Sequence, residues 1–225
     1  MKKYFENFFK NIVLREEVME GTICVEGVVG VGKTTLGRMI AQRYGITLYE
    51  EPVVNNPILD KFYHDRNRWS FTSQIFFLNK RFKMIKNAAK LEACVLDRSI
   101  YGDVIFSKML VQDGSMSQGE FDIYEELLYN MLEHTQKPRL MIYLETSVDG
   151  AIAKIKKRGR DYEQIVPREY WENLDKNYRE YFDNYNLSEI IKINVDNLDF
   201  LENEKDREYI FSLIDERLKK WIDQK

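Results

Sequence analysis

Apolar positions along the chain fall into short runs separated by longer stretches of mixed polarity. Thr22-Ile23-Cys24-Val25-Glu26, Ile46–Glu50, Ala93-Cys94-Val95-Leu96-Asp97, Leu140–Leu144 and Glu189–Asn194 read as five strands. Between them the pattern predicts helices at Thr35–Ala41, Trp69–Lys90, Ile100–Gln112, Gln118–Gln136, Val148–Lys157 and Pro167–Asn184, with a segment Asn55–Asp65 ahead of the second and a terminal helix at Lys205–Asp223. Strands that alternate with helices predict an α/β fold: one five-stranded parallel sheet flanked by helices, with ligands at the carboxyl ends of the strands. Phe121, Tyr124, Leu127, Leu128 and Met131 recur at helical spacing and suit either the core or a contact between subunits.

The chain has 225 residues, 44% of them hydrophobic, enough for one sizeable core. Residues 21–225 read as a single domain and residues 1–20 as an N-terminal extension, appended and either amphipathic or frayed. Glu6, Asn7, Lys10 and Arg15 interrupt the apolar positions of that extension, so it lacks a signal-peptide core. No apolar run approaches the roughly 20 residues of a membrane span, which leads to the expectation of a cytoplasmic protein without membrane contact. A net charge of −3 argues against a general nucleic-acid binder. Cys24 and Cys94 lie in apolar runs and read as packed thiols rather than a disulfide. His64 and His134 have no partners at metal-ligand spacing.

Candidate chemistry changes the picture most at Gly27-Val28-Val29-Gly30-Val31-Gly32-Lys33-Thr34, a G-x-x-x-x-G-K-[ST] pattern between a strand and a helix. Its glycines let the backbone curl with N–H groups turned toward phosphate oxygens, and the following helix, opening near Thr35, presents its positive end. Lys33 is placed for the β- and γ-phosphates and the Thr34 hydroxyl for Mg²⁺, so ATP and Mg²⁺ are the expected ligands. Three charged clusters sit where the fold puts ligands: Glu50-Glu51-Pro52, Asp97-Arg98-Ser99, and the span from Lys154 to Glu163. Together they can supply a base, a metal partner and mobile cations for phosphoryl transfer.

With Glu51-Pro52-Val53, Trp69-Ser70-Phe71-Thr72-x-Gln74, Asp97-Arg98-Ser99 and Lys157-Arg158-Gly159-Arg160 in this order and spacing, the chain resembles the deoxyribonucleoside kinases over roughly residues 20–200. It is most similar to the bacterial deoxyadenosine/deoxyguanosine kinases, which share the Asn55-Asn56-Pro57 and Phe62-Tyr63-x-Asp65 surroundings. The resemblance implies a P-loop kinase with a lid that phosphorylates a deoxyribonucleoside 5′-hydroxyl from ATP in nucleotide salvage. It implies that Glu51 is the general base, that Asp97 holds Mg²⁺, that Arg98 bonds the 5′-oxygen region and phosphate, and that Arg158 and Arg160 clamp the donor phosphates. It further implies base reading by Gln74 and an Arg81–Asp103 pair, stacking by Phe106, and a Tyr63/Glu163 pair on the sugar 3′-hydroxyl. A homodimer through the helices near Trp69–Lys90 and Gln118–Gln136 is implied as well.

An Arg81–Asp103 pair offers polar groups to adenine, guanine or cytosine. Thymine lacks an exocyclic amino group and carries a methyl, so thymidine should be poor; the resemblance implies deoxyadenosine as the expected acceptor, with deoxyguanosine or deoxycytidine behind it. The chain departs from animal relatives at Asn55-Asn56 and Ser73, where they carry aromatic residues, and is one residue shorter between Asp103 and Phe106. Glu50 serves as a control for Glu51, since strand neighbours face opposite ways. Bland readings exist beside these: Glu51 as a surface or capping acid, Arg81–Asp103 as a structural ion pair, Lys154 and Lys157 as a solvated helix end. Two other functions fit the loop, a thymidylate-kinase-like nucleoside monophosphate kinase and a nucleotide-binding regulator without transfer activity. The first would need further phosphate-binding arginines, and the second has no use for Glu51 and the lid arginines.

Overall fold

A computed structural model describes residues 2–11, 21–51 and 56–222. Pro52, Val53 and Asn55 of the motifs above lie outside the described residues. Strands β1 (Thr22–Gly27), β2 (Thr47–Tyr49), β3 (Cys94–Asp97), β4 (Leu140–Glu145) and β5 (Glu189–Asn194) form one parallel sheet in the order β2-β3-β1-β4-β5. Every residue of β1 and β3 is buried, as central strands covered on both faces require. In register, Val25 pairs with Asp97 and Gly27 with Leu144, so the loop after β1 and the Asp97-Arg98-Ser99 turn after β3 leave the sheet side by side.

Helices α1 (Lys2–Asn11), α2 (Lys33–Tyr44), α3 (Leu59–His64), α4 (Arg66–Ala88), α5 (Asp103–Gln112), α6 (Gln118–Leu132), α7 (Val148–Arg158), α8 (Asp161–Gln164), α9 (Arg168–Asp183) and α10 (Glu204–Ile222) complete the described structure. Their ends follow local chemistry. Asp65 caps α4 by accepting from the Arg68 N–H, so this helix starts ahead of the expected Trp69. Ser117 and Glu120 form a reciprocal capping box on α6. The stretch expected as one helix from Ile100 is a 3₁₀ turn, Ile100–Gly102, before α5.

Lys2–Asn11 is an amphipathic helix whose apolar face belongs to the core. Phe5, Phe8 and Phe9 are all at most 5% exposed and meet Tyr181 of α9 at ring-centroid distances of 5.3, 6.2 and 4.9 Å. On α6, Phe121, Tyr124 and Leu128 are buried within the subunit, which settles the core reading for them; Leu127 and Met131 are half-buried and Ile123 is exposed. Cys24 and Cys94 are buried free thiols. Among the described residues no helix is long and apolar enough to cross a membrane.

Candidate active site

At the carboxyl ends of β1, β2 and β3 lies a cavity of about 410 Å³. Val29, Gly30, Gly32, Lys33, Thr34 and Thr35 form one wall, and Arg158, Arg160 and Glu163 of the α7–α8 region cover it. Glu51, Tyr63, Gln74, Arg81, Asp97, Arg98 and Phe106 line the rest, so elements distant in sequence converge here because the sheet order sets β3 beside β1. Gly27, Val28 and Val31 complete the loop behind this wall, with the Val31 side chain fully buried. The loop can bend only as glycine allows: Gly27 has φ +147°, and a Cβ there would stand 2.6 Å from the Leu144 carbonyl oxygen.

The Lys33 ammonium donates to the carbonyl oxygens of Gly27 and Val28, both at 2.9 Å, holding the loop curled around it. Burial, with Arg98 next in weight, lowers Lys33 to about 8, against the pull of Glu51, Asp97 and Glu26. The ammonium is therefore charged below that value and neutral above it. For a protein that takes ATP on this loop, kcat/KM for ATP should fall by about tenfold per pH unit above this value. A bound triphosphate favours the charged form, so kcat at saturating ATP should hold to higher pH. A pH series from 6.5 to 10 checks this, and a kcat/KM profile flat through pH 9.5 would contradict it.

Thr34 donates its hydroxyl proton to Oδ2 of Asp97, whose other oxygen is buried without a hydrogen-bond partner. Burial raises the Asp97 carboxyl, with Lys33 opposing. One carboxylate with a spare oxygen beside one hydroxyl fits Mg²⁺, which keeps most of its water shell; among the described residues no cluster of three His, Cys, Asp or Glu offers a fuller cage.

On the same cavity lining Glu51 is the centre of a charge cluster. It accepts a hydrogen bond from Arg81, and Arg98 Nε lies 3.4 Å from the same oxygen. Burial alone would raise the Glu51 carboxyl, but Arg98, Arg81 and Lys33 outweigh it and bring it down to about 2. Glu50 instead turns to Arg38 at the exposed rim, 2.7 Å away. Arg98 donates to the Tyr178 hydroxyl at 2.6 Å and lies over the Phe106 ring, 4.6 Å from its centroid.

Arg81 and Asp103 are paired as the sequence suggests, but they are not equivalent. Asp103 of α5 is 2% exposed, is paired with Arg81 and is not among the residues that line the cavity, so Arg81 is the member of the pair that faces it. The reason is that α5 follows a 3₁₀ turn and buries Asp103 at its first position. Arg81 in turn reaches Glu51 as well as Asp103 and lies over Phe77, a bridge that sequence reading missed.

Glu163 is 3% exposed and takes both lid arginines, Arg158 at 2.6 Å and Arg160 at 3.3 Å. Gly159 between them closes α7 in a left-handed turn, φ +72°. Tyr63 stacks on Tyr162 of α8, with centroids 5.3 Å apart and planes at 18°. Lys154 also lines the cavity, whereas Lys157 is exposed and outside it. Tyr178, Tyr162 and Phe77 are neighbours that the sequence did not single out, because aromatic residues in helices read first as core.

The geometry agrees with comparisons against known proteins. A model of the deoxynucleoside kinase family matches residues 23–219. A deoxyadenosine kinase of Lactobacillus acidophilus is 38% identical over 206 residues, 88% of this chain and 96% of that protein. A deoxyadenosine/deoxycytidine kinase of Bacillus subtilis is 38% identical over 196 residues, 85% and 90% of the two chains. The structure of deoxyadenosine kinase from M. mycoides with the products dCMP and dCDP bound shares the fold at a TM-score of 0.78 and 32% identity, covering 87% of this chain and 99% of that one. With a phosphate loop, a lid and a charged pocket arranged on the same fold as these relatives, this chain belongs to the deoxynucleoside kinase family.

Proposed function

We propose that the chain transfers the γ-phosphoryl group of ATP to the 5′-hydroxyl of a deoxyribonucleoside, with deoxyadenosine the preferred acceptor, as a step in nucleotide salvage. The observation that carries this reading is the placement of Glu51 and Arg98 beside Lys33 and the phosphate loop, in one cavity that Gln74, Arg81 and Phe106 also line. The acceptor oxygen attacks the γ-phosphorus, the bond from that phosphorus to the β–γ bridging oxygen breaks, and ADP leaves. Glu51 takes the hydroxyl proton, and Arg98 steadies the oxygens that exchange the phosphoryl group. Thr34 and Asp97 would hold Mg²⁺, which would supply neutralisation of the phosphate charge during transfer.

A carboxylate near 2 is a weak base. A nucleoside that draws Arg81 toward its base edge removes one of the cations holding Glu51 down, and so raises its basicity as the hydroxyl arrives. A weak base also suits a loose transition state, where the proton leaves late. Tyr63 and Glu163 act on the 3′-hydroxyl, Phe106 stacks on the base, and Gln74 reads its edge. The protein works in the cytoplasm as a homodimer through α4 and α6, a face where Ile123 is exposed.

Incubating the protein with ATP and each of the four deoxynucleosides, and separately with thymidylate, tests the reading. Deoxyadenosine should be converted best, deoxyguanosine and deoxycytidine less well, thymidine and thymidylate poorly. Transfer to thymidylate alone, or no transfer at all, would overturn it.

The Arg81–Asp103 pair gives a specificity prediction. Removing both charges together, Arg81→Met with Asp103→Ala, leaves neither buried and alone, so the double variant should be tolerated better than Asp103→Ala by itself. Absolute turnover should drop because Glu51 loses a partner, yet thymidine use relative to deoxyadenosine should rise by about tenfold, roughly 1.4 kcal/mol of differential transition-state binding. The ratio of kcat/KM values in both proteins is the measurement. An unchanged ratio would leave Arg81–Asp103 as a structural ion pair.

A further inference from the structure

Glu26, in β1 immediately before the phosphate loop, is fully buried and does not line the cavity. Its Oε1 accepts from the Ser99 N–H at 2.7 Å and from the Ser99 hydroxyl at 2.9 Å. Its Oε2 accepts no hydrogen bond and lies 4.0 Å from Arg98 Nε, which also has none. Gly102 leaves room for this carboxylate: a Cβ there would stand 3.0 Å from Oε1. The Asp97-Arg98-Ser99 turn it grips is unusual as well. Arg98 has φ +66°, the only positive value for a non-glycine residue among the described residues. Its N–H bonds the Val25 carbonyl at 3.1 Å, while the next residue is tied to Glu26.

A buried carboxylate with an unpaired oxygen is poor material for stability, since an apolar or amide side chain would fill the space without the desolvation cost. What Glu26 provides is a fixed negative charge behind Arg98. The arginine thus stands between two carboxylates, Glu51 on the cavity side and Glu26 on the core side. We propose that Glu26 is a positioning residue for phosphoryl transfer: it holds the turn that aims Arg98 and keeps a counter-charge on that arginine when its cavity-side contacts pass to the reacting oxygens. This rests on the proposed role of Arg98 at those oxygens.

Glu26→Gln tests it, because the amide oxygen can keep both Ser99 bonds while the charge facing Arg98 is lost. We expect kcat to fall about ten- to thirtyfold, with KM for ATP and for the nucleoside each changed by less than about threefold. In an Arg98→Ala background, the same substitution should change kcat by less than about twofold, as expected when two residues act through one interaction. If Arg98→Ala lowers kcat and Glu26→Gln does not, or if the two losses multiply, Glu26 does not act through Arg98 and the proposal fails alone. If Arg98→Ala leaves kcat intact, the reading of Arg98 fails and takes the proposal with it. Should Glu26→Gln not fold, Ser99→Ala removes one of the two bonds that seat the turn. It should lower kcat about threefold in the parent and hardly at all beside Arg98→Ala; equal losses in both would overturn the proposal.

Discussion

Replacing Glu51 by glutamine is expected to lower kcat by a factor on the order of 10²–10⁴ while leaving ATP affinity nearly intact. Glutamine keeps the shape and one acceptor oxygen but cannot take the 5′-hydroxyl proton. The surrounding cations do not lose all their partners: Arg81 retains Asp103, and Arg98 retains the Tyr178 hydroxyl and the charge of Glu26. The variant should therefore fold, and the loss should be in turnover rather than in quantity of protein. Glu50→Gln is the matched control. Its carboxylate pairs with Arg38 at the exposed rim, so near-normal kcat is expected. If Glu50→Gln lost turnover and Glu51→Gln kept it, the assignment at the end of β2 would be wrong.

Arg158→Ala and Arg160→Ala should each lower kcat by about 10²–10³, the scale of removing one donor aimed at transition-state charge. Both side chains are about one-third exposed yet anchored to the buried Glu163, which makes them cations that can swing from that acid to a triphosphate. Their loss should act on developing phosphoryl charge and leave nucleoside KM mostly unchanged. The Glu163 contact makes the contrary outcome informative. A variant altered only in nucleoside KM would assign that arginine to the acceptor side, where Glu163 and Tyr63 lie together on the cavity wall.

The elements that position the site were legible wherever a local pattern dictates them. Val25 and Leu96 belong to apolar runs bounded by charge, and Gly27 to Thr34 follow a spacing that few other structures need. What escaped is what three-dimensional closure decides. Helix α8 has four residues, too short for a period to show. Phe5, Phe8 and Phe9 have helical spacing, but their partner Tyr181 lies near the other end of the chain, so their burial could not be read locally. Arg81 could be matched to Asp103, yet its simultaneous hold on Glu51 depends on the fold bringing α4 to the residues that follow β2. In the sequence Glu26 is no more than the last residue of a buried strand. Only the sheet order, with β3 beside β1, converts it into a buried neighbour of Ser99.

The aromatic seat of α1 bears on how the protein can be handled. Deleting Lys2–Asn11 would uncover Tyr181 and Tyr185 on and after α9, large rings now covered by Phe5, Phe8 and Phe9. Such a patch invites self-association, and α9 also carries Tyr178, the hydroxyl that receives a hydrogen bond from Arg98. A chain trimmed to residues 23–219, the span the family model matches, should therefore be prone to aggregation and less active at once, and a bulky fusion set directly against Tyr4 would press on the same seat.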